Sequence, residues 1–213
     1  VGIQDTIVIT RSNKMANRYN EGIRRTILWK DSTISKGDYI MIVKNNYFWT
    51  AENKDVSFIA NGDIAEIIDI DNYETLYGFD FANVTVRFSD YNNFEITLKV
   101  LLNTLSSESP SLSYEENNKL YTEVSHDYAE IKNKRKLYEE IKKNPYFNAL
   151  QIKFAYAITC HKAQGGQWKH VYIDHGFFNK DNVDQEFIRW LYTACTRATE
   201  KIYFVNFKDD FFE

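Results

Sequence analysis

The chain has 213 residues, 44% of them hydrophobic and 16% aromatic, with only two prolines and eight glycines, which excludes a disordered or low-complexity chain. Its net charge of −4 does not mark a nucleic-acid binder by bulk charge, yet phosphate recognition needs only a local basic strip. Two cysteines, Cys160 and Cys195, lie too far apart for CxxC spacing; this argues against a disulfide framework or zinc site and fits a reducing cytoplasm. No apolar run approaches the roughly 20 residues that a membrane span requires.

Residues 6–10 (Thr-Ile-Val-Ile-Thr) form a short continuous apolar run of the kind found in buried parallel strands. No basic region precedes it, so it is not a signal peptide, and an abrupt start without methionine has the character of an excised fragment. Ser12 is placed to cap a helix whose Met15, Tyr19, Ile23 and Ile27 share one face. After the Lys36-Gly37-Asp38 turn, residues 39–44 read as a strand. Asn45-Asn46 then runs into the aromatic Tyr47-Phe48-Trp49, and Asn61-Gly62 predicts a tight turn. Strand patterns follow at 64–70, 83–88 and 94–101, where Val84, Val86 and Phe88 alternate with Thr85 and Arg87. These short strands suggest a small β-barrel or sheet inserted in an α/β frame.

Ser113 and Glu116 have capping-box spacing, and a thin apolar stripe of Leu120, Val124, Ile131, Tyr138 and Ile141 predicts one long polar helix to about residue 143. The basic run at 132–136 reads as a solvated face of that helix. Pro145 ends it. Ile152, Phe154, Tyr156 and Ile158 alternate along a following strand, 170–174 and 201–206 are further strands, and 184–199 is a helix. The C-terminal third therefore reads as β-α-β-α-β.

Two stretches carry chemistry. The first is Thr159-Cys160-His161-Lys162-Ala163-Gln164-Gly165-Gly166 at the end of a strand. Open α/β sheets bind ligands at the carboxyl ends of their strands. Thr159 and His161 share a face by period-two alternation, and a hydroxyl, an imidazole and an ammonium suit the phosphates of a nucleic-acid backbone. The alternative is a loop of internally satisfied polar groups. The second stretch is Tyr192-Thr193-Ala194-Cys195-Thr196-Arg197-Ala198, where Arg197 could aim a planar guanidinium at phosphoryl charge. An arginine on a helix more commonly forms a surface ion pair. Cys160 and His161 point to opposite faces and do not make a thiolate pair. No GxxxxGK[ST] loop occurs, and His126, His170 and His175 lack metal-ligand spacing.

Together, Thr-x-His-Lys-x-Gln-Gly after a strand and Tyr-Thr-Ala-x-Thr-Arg-Ala on a helix resemble motifs V and VI of superfamily 1 DNA helicases, in the form of the RecD and Dda branch, with its UvrD-like C-terminal domain. Gly37-Asp38-Tyr39-Ile40-Met41, Asn45-Asn46-Tyr47 and Asn61-Gly62-Asp63 are similar to that branch where it passes into domain 2B, and the region from Thr10-Arg11 to Arg24 resembles motif IV. The resemblance implies a RecA-like parallel-sheet motor domain (2A) over 1–61 and 149–213, interrupted at 62–148 by a small SH3-like β insert (2B) and a long helix. It implies ATP with Mg2+ as cofactor, Arg197 as a catalytic arginine finger, and ATP contacts from Gln164, Gly165 and Gln167. Gln167 stands where many relatives carry Glu. It implies single-stranded DNA as partner, held by Thr159, His161, Lys162, Thr10, Arg11, Asn45, Asn46 and Asn61. The metal ligands and phosphate loop would belong to an N-terminal motor domain, so these 213 residues alone should not hydrolyse ATP. Rival readings are a non-catalytic nucleic-acid-binding or docking module and, with no carboxylate cluster to support it, an exonuclease subunit.

Overall fold

The computed structural model describes residues 2–176 and 183–212. In chain order its elements are β1 (Thr6–Thr10), α1 (Asn13–Gly22), β2 (Tyr39–Ile42), β3 (Ile64–Leu76), β4 (Phe79–Phe88), β5 (Phe94–Leu101), α2 (Tyr114–His126), α3 (Lys134–Ile141), β6 (Leu150–Phe154), β7 (Ala157–Thr159), β8 (Trp168–Asp174), α4 (Gln185–Cys195) and β9 (Ala198–Val205). They form two compact units. One comprises Val1–Asp31 and Phe154–Glu213; the other comprises Ser32–Lys153. Residues 32–61, expected with the α/β part, thus belong to the second unit, because β2 pairs with β3 there.

The first unit is a four-stranded parallel sheet in the order β7-β1-β8-β9. Ile7, Val8 and Ile9 of β1 are buried, as a strand flanked on both edges requires. Ser12 caps α1, its hydroxyl accepting from Met15 N at 3.2 Å. Ala16 packs on Val8 and Ala157, with Tyr19, Ile23 and Tyr172 alongside. The expected inward face of this helix fails at its end. The backbone widens to a π-turn at Ile23–Ile27, which swings Ile27 out to 63% exposure.

The alternating stretch from Ile152 to Ile158 is two strands, not one. β6 ends at Phe154 and β7 begins at Ala157. The buried Asn20 amide brackets the break: its Nδ2 donates to Phe154 O at 3.2 Å and Ala157 O at 2.9 Å, and its Oδ1 accepts from Ala157 N at 2.8 Å. The expected helix between β7 and β8 is also absent; residues 160–165 are turns.

The second unit is built on a closed barrel of β2-β3-β4-β5-β6. β2 through β5 pair antiparallel, β5 and β6 parallel, and Val43 N donates to Gln151 O at 2.9 Å across the remaining gap. The thirteen-residue β3 has register shifts at Ile67/Asp69 and Ile70/Asn72, irregularities of the kind that let a long strand bend. Ile40, Ile42, Ile67, Val84, Val86, Val100 and Ile152 are fully buried, so the alternation read in β4 is the barrel's core face. The expected single helix is broken. α2 begins with the Ser113–Glu116 capping box, and a second helix starts at Asn133, whose Oδ1 accepts from Arg135 N and Lys136 N. In the gap, Asp127 is held by the Tyr77 hydroxyl. Leu120, Val124 and Ile141 join Phe79, Phe81 and Leu101 in one apolar cluster, which fixes both helices on the barrel unit.

Candidate nucleic-acid and nucleotide site

Thr159 ends β7 in register with Thr10, the last residue of β1, and Thr10 is in register with Asp174, the last residue of β8. The first chemistry-bearing stretch therefore starts at the carboxyl edge of the parallel sheet. His161 and Gln164 are exposed there and Lys162 is half-buried, which lowers its pKa by desolvation. Thr10 is fully buried, and its hydroxyl donates to Ser12 O at 3.0 Å, so its side chain serves the turn into α1. Arg11 lays its guanidinium 5.7 Å from the Phe187 ring and 5.6 Å from Trp190, against α4.

Arg197 lies just before β9, and its carbonyl accepts from Trp168 N at 2.9 Å where β8 and β9 begin. That is the amino end of the strands. By strand length, about 20 Å of β8 separates Thr159's end of the sheet from Arg197's. The loop of residues 160–167 spans the distance. Ala163 is fully buried in it, and Cys160 Sγ lies 3.6 Å from Trp190 O. Burial raises the pKa of both Cys160 and Cys195, which keeps these thiols protonated and removes a thiolate nucleophile from consideration.

At the far end the loop meets Arg197. Its Nη1 donates to Gly166 O at 3.3 Å, its Nε to Thr193 O at 3.2 Å and its Nη2 to Thr196 Oγ1 at 3.0 Å. A guanidinium has five N–H donors, so two remain for a ligand. Gly165 has φ +88°, a conformation that disfavours any side chain. Gly166 is needed for a different reason: a Cβ there would meet the Trp168 ring at 2.4 Å. Gln167 is exposed beside it.

Asn45, Asn46 and Asn61 lie in the barrel unit. Asn45 Oδ1 accepts from Asn61 N at 2.7 Å, and Asn46 is bound to Phe48 N, Trp49 N and Asn148 O, so these amides shape a loop. Asp174 closes β8. It is buried at the carboxyl edge, accepting from Tyr19 Oη at 2.5 Å, Asn206 Nδ2 at 3.0 Å and Gly176 N at 2.6 Å. Burial, reinforced by that carboxylate, pushes the Tyr19 phenol up to about 12. A single Asp closing an apolar strand was its only signal. Among the described residues no group of three His, Cys, Asp or Glu side chains is placed to hold a metal ion, and no helix is long and apolar enough to cross a membrane.

Residues 154–205, which contain both stretches, match the model of the UvrD-like helicase C-terminal domain. Among curated proteins the chain is 24% identical, over 238 aligned positions, to the uncharacterized protein R530 of Acanthamoeba polyphaga mimivirus, covering 93% of this chain and 47% of that one. Among solved structures it is similar to the Pif1 helicase from Bacteroides in complex with ADP-AlF3 and ssDNA, with TM-score 0.52 and 13% identity over 96% of this chain and 41% of that one. The shared feature there is the fold. This chain spans less than half the length of either protein.

Proposed function

We propose that this chain is the C-terminal part of an ATP-dependent DNA helicase or translocase of the RecD and Dda branch, coupling ATP hydrolysis to movement on single-stranded DNA. The observation that carries this reading is the Arg197–Gly166 hydrogen bond of 3.3 Å. It ties the loop that starts at the sheet's carboxyl edge to the arginine corner 20 Å away by the strand-length estimate. A ligand held at Thr159, His161 and Lys162 and one held at Arg197 would then share a single mechanical element, residues 160–167.

In this scheme Thr159, His161 and Lys162 grip the sugar–phosphate backbone, contacts that position a strand without reading sequence. Gln164 and Gly165 relay the change, and Gln167 borders the nucleotide. Arg197 presents its two remaining donors to the phosphate charge that grows during transfer. Magnesium bound with ATP would screen the phosphate oxygens. The described residues supply cation and amide groups suited to phosphate but no carboxylate group suited to the metal. The metal ligands and the phosphate loop are therefore assigned to a further motor domain, and the 213 residues alone are inactive toward ATP.

The second reading, a binding module with relic motor motifs, draws on the lack of a GxxxxGK[ST] loop in this sequence. Binding of single-stranded DNA to a Thr159→Ala/His161→Ala double variant tests the first. Affinity should fall about tenfold for every base sequence alike, because phosphate contacts carry no base information. Wild-type affinity in that variant would show that the carboxyl edge does not hold the strand.

A further inference from the structure

The barrel unit carries an open groove of about 370 Å³ lined in part by Lys44, Tyr47, Phe48, Lys142, Phe147 and Asn148. None of its lining residues is acidic, in a chain whose net charge is −4. Its outstanding member is Tyr47, 62% exposed. The isolated bridge between Asn46 and Ile59 places Tyr47 opposite Phe58, and the two rings stack at 5.0 Å with an interplanar angle of 24°. One face of the tyrosine is thus backed by an aromatic ring and the ring is held flat.

The loop is pre-formed. Asn46 Oδ1 accepts from Phe48 N at 3.0 Å and Trp49 N at 3.3 Å, while Asn46 Nδ2 and Trp49 Nε1 both donate to Asn148 O at 2.8 Å. Lys44 and Lys142 are exposed, and among the described residues no carboxylate lies within ion-pairing distance of either. The Lys142 ammonium sits 4.5 Å from the Tyr138 ring, which steers it without neutralising it.

The geometry points to a second single-stranded nucleic-acid contact in this groove, with one base stacked on Tyr47 and the flanking phosphates paired with Lys44 and Lys142. A rigid aromatic platform beside unneutralised lysines is the sequence-tolerant way of holding a single strand. The asparagines of this loop serve it as scaffold, and the ligand meets the tyrosine and the lysines. The identity of the ligand rests on the single-stranded-DNA reading given above; the placement of the groove does not.

The test uses the whole chain, a fluorescein-labelled oligothymidylate and fluorescence anisotropy across a salt series. Tyr47→Ala should weaken binding about tenfold and Tyr47→Phe should not, since only the stacking face is needed. Lys44→Gln and Lys142→Gln should each reduce the salt dependence of log K by roughly 0.7. Melting curves matching wild type exclude unfolding as the cause. An oligonucleotide carrying 5-iodouracil should crosslink to Tyr47. If the Tyr47 and lysine variants bind as wild type while Thr159→Ala/His161→Ala binds weakly, the groove inference fails and the sheet-edge reading stands. If the groove variants weaken binding and the sheet-edge variant does not, the groove stands alone. A proline-rich peptide that occupies Tyr47 while the oligonucleotide ignores the groove variants would overturn it in favour of a peptide site.

Discussion

Lys153 closes the barrel unit, 5% exposed and, among the described residues, with no carboxylate partner; its ammonium donates instead to Thr104 O at 2.9 Å and Ser107 O at 2.6 Å. Burial lowers its pKa from 10.5 to about 8. Below pH 8 the ammonium is charged in both the folded and unfolded chain, and the folded chain bears the full desolvation cost. Between pH 8 and 10.5 the unfolded chain holds the proton and the folded chain does not, so stability rises with pH through that window. A difference of this size corresponds to about 3 kcal/mol. Replacing Lys153 with Met removes the cost at neutral pH but leaves two carbonyls without a donor, at about 1 kcal/mol each. Lys153→Met should therefore be about 1 kcal/mol more stable than wild type at pH 7 and less stable by pH 10. Urea denaturation followed by circular dichroism at pH 7, 8, 9 and 10, taken as the difference between the two proteins, measures this. Restricting the window to pH 10 avoids the phenols of Tyr19, Tyr77, Tyr91 and Tyr146. Their pKa values are raised to about 12, so they add stability that is lost above pH 10. A difference that stays constant from pH 7 to 10 would refute the burial argument for Lys153.

Asn20→Ala strips partners from three backbone groups at the β6–β7 break, two of them buried, and should cost about 2–4 kcal/mol, read as a lowered urea midpoint; Asn20→Asp cannot donate to Phe154 O and Ala157 O and should not rescue it. Ser113→Ala removes half of the capping box of α2 and should cost about 1 kcal/mol, while Ser113→Asp should retain most of the stability, both by thermal melting.

Continuous apolar or alternating runs were legible because burial dictates them. Thr6–Thr10 and Phe94–Leu101 form as strands over the ranges read from the sequence. The Ser113–Glu116 capping box was legible because it is a local contact. What failed depends on distant partners. The stripe through Ile131 gives no warning that Tyr77, fifty residues earlier, holds Asp127 at the helix break. The alternation through Phe154 and Tyr156 continues across a point where Asn20 ends one strand and starts another. In the candidate site the residue types were legible, but their arrangement was not. Gly166 closes the polar stretch in sequence, but its missing side chain makes room for Trp168, and Arg197 stands at the opposite end of the strands from Thr159. Asn45 and Asn46 are implied as ligand contacts by the resemblance; the structure shows Asn45 Oδ1 accepting from Asn61 N and the Asn46 amide bound to Phe48 N, Trp49 N and Asn148 O, partners that no local pattern announces.

The Arg197 corner is where the proposed coupling of DNA to nucleotide is most exposed to measurement. In a protein that joins this chain to the proposed phosphate-loop domain, Arg197→Ala should lower DNA-stimulated ATP turnover by about a thousandfold, since an arginine finger acts on transition-state charge. Affinity for single-stranded DNA should stay within about twofold, because phosphate contacts at the far end of the sheet are untouched. ATP turnover at the wild-type rate in Arg197→Ala would contradict the account.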